Sequence, residues 1–211
     1  NTGFMLRLIM IKSNKLVHGI GFKGMDYPSY DGEKMLKEYD LWKSMLHRCT
    51  KEYGFKRSAY AGVTCSENFK SYSFFYEWCN KQVGFKNVDE KGNYWQLDKD
   101  LLIKGNKVYS EDVCVFVPQR LNLLLIKYDA KRGEFPIGVS WCEKRGKFQT
   151  GCKDYLGVSR NLGRYYTVEE SFQAYKTFKE ATIKQAANDY KEVLDERVYQ
   201  ALLNYTVEIT D

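Results

Sequence analysis

Three features of the sequence predict an α+β fold built from two modules. Apolar residues recur every three or four positions from Glu33 to Cys49 and again from about Ser66 to Cys79, which is the period of amphipathic helices. Short β-rich runs separated by glycines and charged turns fill Ile137 to Tyr165. Between these regions lies a polar break, Asp129-Ala-Lys-Arg-Gly133, with the composition of a linker. The chain has 44% hydrophobic and 28% charged residues and only 3 prolines, which is globular composition and excludes a collagen-like or largely disordered polymer.

Taken in order, residues 5 to 11 (MLRLIMI) suit a buried strand or an apolar plug. The glycines of His18-Gly-Ile-Gly-Phe-Lys-Gly24 suit turns rather than a phosphate-cradling loop, because no helix start follows and Pro28 intervenes. A first helix is expected over Glu33 to Cys49, with Leu36, Tyr39, Trp42, Met45 and Leu46 on its apolar face. A second is expected from Ser66, a suitable N-cap, with Phe69, Tyr72, Phe75, Tyr76 and Cys79 on one face and Trp42 meeting Trp78 in the core. Tyr94 to Ile103 and Val108 to Val117 then read as two strands around the Lys104-Gly-Asn-Lys107 turn, and a short helix should run from Gln119 to Tyr128 after Pro118.

Beyond the linker, Ile137 to Cys142, Lys147 to Cys152 and Val158 to Tyr165 are three strands of a meander. A helix closes it. Thr167 caps this helix in box form, because Glu170 three residues on can return a hydrogen bond to the cap amide. A last helix is expected near Asp189 to Tyr205, with Val193, Val198, Leu202 and Leu203 available to dock on another surface or on a second copy of the chain, a homodimer.

Charge is uneven. Residues 131 to 167 hold eight Lys or Arg against three acids, whereas residues 168 to 211 hold five bases and nine acids; the whole chain carries a formal +6. A dense basic segment of this kind is the footprint of a phosphate-facing element, with an ordinary solvated lysine-rich surface as the plain alternative. No run approaches the ~18 apolar residues of a membrane span, so the expectation is a protein without a membrane partner, in the cytoplasm. Six cysteines with no CxxC pair argue against a zinc ribbon or a disulfide scaffold, and Cys49, Cys65, Cys79 and Cys114 are read as core thiols rather than as zinc ligands.

Strand alternation sorts the meander. Val139, Trp141, Phe148, Thr150, Cys152 and Leu162 are expected to face the closing helix. Ser140, Cys142, Lys147, Gln149, Gly151, Lys153, Ser159 and Asn161 are expected on the opposite face, with Arg145 at the first turn. Such a polar face suits a DNA major groove, where these side chains bond base edges and phosphates.

The ordered set Ile137-Gly-Val-Ser-Trp141, Arg145-Gly-Lys-Phe148, Leu162-Gly-Arg-Tyr165 and Thr167-Val-Glu-Glu170 with Ala174-Tyr175 resembles the APETALA/ethylene-response-factor type of DNA-binding domain over about residues 133 to 188. The resemblance implies that a three-stranded sheet enters the major groove of double-stranded DNA and that Ser140, Arg145, Lys147, Gln149, Lys153, Ser159 and Asn161 are its contacts. Ser140, Cys142 and Asn161 replace arginines and a tryptophan of the plant proteins, so the plant target site does not transfer.

The first half resembles phage HNH-type homing endonucleases, which often carry such a second domain. The matching residues are Trp42-Lys-Ser-Met-Leu-His-Arg-Cys49, Tyr60-Ala-Gly-Val-Thr-Cys65, Phe69 to Trp78, Leu97-Asp-Lys-Asp100, Gly105-Asn-Lys-Val-Tyr-Ser110 and Cys114-Val-Phe-Val117. The implied division is 1–130 for an HNH-like nuclease module, 131–188 for the DNA reader and 189–211 for the C-terminal helix. If active, the module would be a metal-dependent DNA endonuclease, with Asp98 holding Mg2+ and Asp98 and Asp100 as catalytic carboxylates. Lys99 stands where the family's general-base histidine would, and Val113 stands near its Asn or His ligand. Lysine is a poor base near neutral pH and valine ligates nothing. The rival readings are a degenerate relative that binds DNA without cutting it, as a regulator or host-interference factor, and an inhibitor that turns its basic surface on an acidic host protein.

Overall fold

The structure is a computed structural model, and it describes residues 16–126 and 133–211. The apolar run at 5–11 and most of the expected linker lie outside those residues. The chain mixes helices with small sheets, as expected of an α+β protein. It divides into two compact units: residues 1–86 with 97–116, and residues 87–96 with 117–211.

The first unit begins with a two-stranded antiparallel ribbon, β1 (Tyr30–Asp31) and β2 (Lys34–Met35), so the first helix starts later than its periodicity suggests. That helix, α1 (Lys37–Arg48), buries Trp42, Met45 and Leu46. A short α2 (Lys51–Lys56) follows, with Thr50 capping it by accepting from the Tyr53 amide. The second apolar helix, α3 (Tyr72–Lys81), is capped by Ser71 rather than Ser66. Ser66 instead accepts from the Phe69 amide at 3.2 Å and opens a single 3-10 turn. Trp42 and Trp78 are joined through Phe69: the Trp42 indole donates to the Phe69 carbonyl at 2.8 Å, and the rings of Phe69 and Trp78 meet edge to face. Tyr72, Phe75, Tyr109 and Phe116 complete the aromatic part of a core that also buries Met45, Leu46, Val63, Cys79, Cys114 and Val115.

The two expected runs pair with each other at their outer ends only, without a tight hairpin around Lys104 to Lys107. β4 (Gln96–Asp98) and β6 (Val115–Val117) pair with each other, while β5 (Val108–Tyr109) pairs in parallel with β3 (Thr64–Cys65). The reason is local. The Asp98 carboxylate accepts from the amides of Asp100 and Leu101 and bends the chain out of extension, and a Cys114 amide bond to the Ser110 carbonyl turns it again before β6.

In the second unit, α4 (Gln119–Leu125) follows Pro118 as expected, though its expected end, Tyr128, lies outside the described residues. The meander β7 (Val139–Cys142), β8 (Lys147–Lys153) and β9 (Ser159–Tyr165) forms an antiparallel sheet in sequence order. Its partner is α5 (Val168–Asp189), which starts with the full Thr167–Glu170 capping box. Between them, Cys152, Phe172, Tyr175 and Val207 are buried, with Ile137, Val139, Leu162, Phe178 and Tyr205 packed around them. Buried Thr150 donates to the Ser171 carbonyl at 3.0 Å and so fastens the central strand to the helix. Trp141 lies on the same face, but past the helix's reach: it is 47% exposed and packs edge-on against Phe148. The last helix, α6 (Glu196–Leu203), is shorter than its pattern, and its Val198 and Leu202 are buried within this chain.

Candidate nucleic-acid interface

The sheet register decides which side chains share the surface away from α5. Residues directly opposite each other on antiparallel strands project to the same side. Thr150 and Cys152 are buried toward the helix, so their neighbours Gln149, Gly151 and Lys153 point away from it. The pairs Ser140 with Gln149, Cys142 with Lys147, Gly151 with Asn161 and Lys153 with Ser159 therefore line up across the outer face. Ser140, Lys153, Ser159 and Asn161 are exposed, and Lys147 and Gln149 are half-buried. Arg145 closes the β7–β8 turn on an exposed 3-10 turn, Glu143–Arg145. Six of the seven side chains expected to contact DNA thus share one face, and the seventh sits at its rim.

Regular alternation fails at one place, and this adds a residue that sequence pattern missed. Thr150 pairs with Gly163 and Gly151 with Asn161, so Leu162 is an extra residue in β9, a β-bulge. Leu162 turns into the core while Gly163 takes φ +121°, a conformation that favours glycine. The Asn161 side chain steadies the bulge by accepting from the Gly163 amide at 3.1 Å. Beyond it the phase is reversed. Arg164, which alternation assigns to the helix side, lies opposite Gln149 on the outer face and is exposed. The only sequence sign is the glycine within the strand.

Arg160 is engaged elsewhere. Its guanidinium forms an ion pair with Asp154 at 2.9 Å, and Asp154 also accepts from the Leu156 and Val158 amides, which holds the β8–β9 turn. Lys147 places its ammonium 4.1 Å from the centre of the exposed Tyr166 ring. A groove of about 1340 Å³ touches Ser140, Gln149, Gly151 and Lys153 and wraps around the β7 edge to Tyr175 and Lys179.

The carboxylates of the first unit are arranged otherwise. Asp98 accepts from the amides of Asp100 at 2.9 Å and Leu101 at 2.7 Å. Burial, and next the charge of Asp100, push its carboxyl up to about 6. Lys99 is only 6% exposed and donates to Asp100 at 3.1 Å and to the Asn106 carbonyl at 2.9 Å. The Asn106 side chain donates in turn to the carbonyls of Lys99 and Val108, both at 2.7 Å. Glu111 accepts from Ser66 and Asn68, and Val113 lies half-buried in the turn before β6. The two histidines stack on each other, His18 on His47, at 4.9 Å. Burial, followed by the charge of His47, lowers the His18 imidazole. Among the described residues, no group of three or more His, Cys, Asp or Glu side chains is placed to hold a metal ion.

All six cysteines are free thiols. Cys49 and Cys65 share a hydrogen bond that raises the first and lowers the second, and burial pushes Cys114 up to about 12. Among the described residues, no helix is long and apolar enough to cross a membrane. Compared with family models, curated proteins and solved structures, the chain matches none.

Proposed function

We propose that this chain binds double-stranded DNA through the outer face of the β7–β9 sheet, with Arg145, Lys147 and Lys153 neutralising phosphates and the shorter polar side chains meeting base edges. The observation that carries this reading is the register. It gathers Ser140, Lys147, Gln149, Lys153, Ser159 and Asn161 on one accessible surface in the most basic part of the chain. The first unit serves as an HNH-like scaffold that does not cut. Support for that part comes from Lys99, whose ammonium is buried and bonded to Asp100 and Asn106 rather than available as a base.

Metal-dependent cutting is the second reading. It is favoured by the neighbouring carboxylates of Asp98 and Asp100, the second close enough for its charge to act on the first, which is the kind of pair that Mg2+ neutralises. One experiment separates the two. The full chain is incubated with duplex fragments from around its own gene, in Mg2+ or in EDTA, and products and shifted complexes are run side by side. Shifted, intact DNA in both conditions is the expected result. Discrete products in Mg2+ only, lost in Asp98→Ala, would establish the nuclease. Arg145→Ala and Lys153→Ala should each weaken binding by about 1 to 3 kcal/mol for a bidentate base contact, or lower the salt slope by about one unit for a phosphate contact. Unchanged shifts for both would remove the sheet-face reading.

A further inference from the structure

The centre of the outer face combines two features that the fold itself does not require. The first is the rung of Ser140, Gln149 and Arg164, directly paired across all three strands because of the bulge at Leu162. The second is Gly151, the next outward position on the central strand after Gln149. Glycine inside a strand is costly and marks a bulge, a tight bend or a place where another molecule comes close. The register shift of the bulge falls between Thr150 and Gly151, yet neither backbone conformation nor space requires a bare Cα at this position. A Cβ on Gly151 would meet only the Arg160 carbonyl, at an ordinary 3.5 Å, and Gly151 is not among the residues of positive φ. The bare backbone leaves an exposed clearing beside Gln149 that is open to a molecule arriving from outside.

We infer that Gln149 and Arg164, with the clearing at Gly151, form the base-reading centre of this surface, and that the DNA it selects carries a guanine next to an adenine. The inference rests on the DNA-binding reading above. Arginine has the fork that matches the O6 and N7 acceptors of guanine, and glutamine has the donor and acceptor that match N6 and N7 of adenine. Opposite residues on paired antiparallel strands stand about 5 Å apart at Cβ, and successive bases on one strand lie about 3.4 Å apart along the helix axis. Two long side chains on one rung therefore reach neighbouring base pairs. The Ser140 hydroxyl donates to the main-chain carbonyl of Gln149 at 3.5 Å, across the same rung. Gly151 lets the sheet descend far enough for both heads to reach the groove floor. Lys147 and Lys153, two positions before Gln149 and after Gly151, are spaced to straddle that point and hold the backbone.

The test is selection from a pool of randomised duplexes by the full chain, followed by titration of the selected site. The wild-type protein should enrich a guanine adjacent to an adenine. Arg164→Ala should lose the guanine preference and about 5- to 150-fold of affinity for that site, and Arg164→Lys should not restore the preference. Gly151→Val should keep or raise the thermal midpoint of the second unit and lose binding. Enrichment without a G–A step, an unchanged preference in Arg164→Ala, rescue by Arg164→Lys or full binding by Gly151→Val would each overturn the inference while leaving DNA binding in place. Failure of the wild-type chain to retain any duplex would withdraw the DNA-binding reading with it.

Discussion

The Asp98–Asn106 turn and the outer face of the β7–β9 sheet are equally rich in polar side chains, yet they dispose of them in opposite ways. In the turn, Asp98 caps two amides, the Lys99 ammonium bonds Asp100 and a carbonyl, and Asn106 bridges two further carbonyls. On the sheet, Lys153, Ser159 and Arg164 project from a surface whose rigidity is supplied from behind, by Thr150, Leu162 and the capped helix. The contrast teaches that a motif's residue types say less than where their hydrogen bonds go. Polar groups consumed in shaping a loop are part of the fold, whereas those held by the fold without being consumed are available to a partner.

The sharpest way to break this comparison is to damage the support behind the sheet. Gly138 takes φ +80° and its absent Cβ would lie 2.0 Å from the Tyr175 ring. Gly138→Ala should therefore cost the second unit about 3 kcal/mol through overpacking and left-handed strain. Urea unfolding should show a weakened transition together with lost DNA binding, whereas the first unit should unfold as before.

Next comes the turn itself. Removing the Lys99 ammonium in Lys99→Met leaves Asp100 and the Asn106 carbonyl without their shared donor and should destabilise the first unit by about 1 to 3 kcal/mol. Binding to duplex DNA should not change. A parallel loss of binding would show that the two regions do not act separately.

The turn also makes a pH prediction. The Asp98 carboxyl is raised from an ordinary 3.8 to about 6, so the folded state holds its proton more tightly than the unfolded chain does. Stability from this group is fully present below about pH 4 and is lost as the pH rises through about 6, an effect on the order of 1 to 3 kcal/mol. Asp98→Asn should flatten that slope and stabilise the first unit at neutral pH, measured as thermal midpoints across pH 4 to 7. If Mg2+ alone flattened the wild-type slope, the carboxylate would be a metal ligand and the second reading would gain.

The smallest effect expected is at the helix cap. Thr167→Ala removes the hydroxyl that accepts from the Glu170 amide and should cost about 1 kcal/mol, with sheet register and DNA preference retained.

The second unit was the more legible in sequence, for a physical reason. Its strands are short, bounded by glycine and charged turns, and its helix begins with a self-contained box, so local chemistry specifies each element. The first unit misleads because its extended runs are cut by the local Asp98 turn and one piece then pairs with a strand distant in sequence. The β5 partner is Thr64–Cys65, more than forty residues upstream, and periodicity cannot announce a long-range parallel pairing. The helix start at Ser66 fails for a related reason. Two serines five residues apart both cap a turn, and only packing of Tyr72, Phe75 and Trp78 decides which turn continues as a helix. At the candidate interface, alternation placed six outward side chains on one face but could not see the bulge, and so missed Arg164.

That bulge makes the surface depend on counting as much as on chemistry. Leu162 is the single residue by which β9 outnumbers β8 over their paired stretch, Phe148 to Lys153. If the pairing ran on without the bulge, Leu162 would fall opposite Thr150, Gly163 opposite Gln149 and Arg164 opposite Phe148 on the helix side, and the exposed surface would lose its central arginine with the charge of the chain unchanged. Deleting Leu162 would not bring this about, because Gly163 and Arg164 would keep their partners Thr150 and Gln149. Point substitutions can tune this face, but a slip of one residue in register would rewrite it.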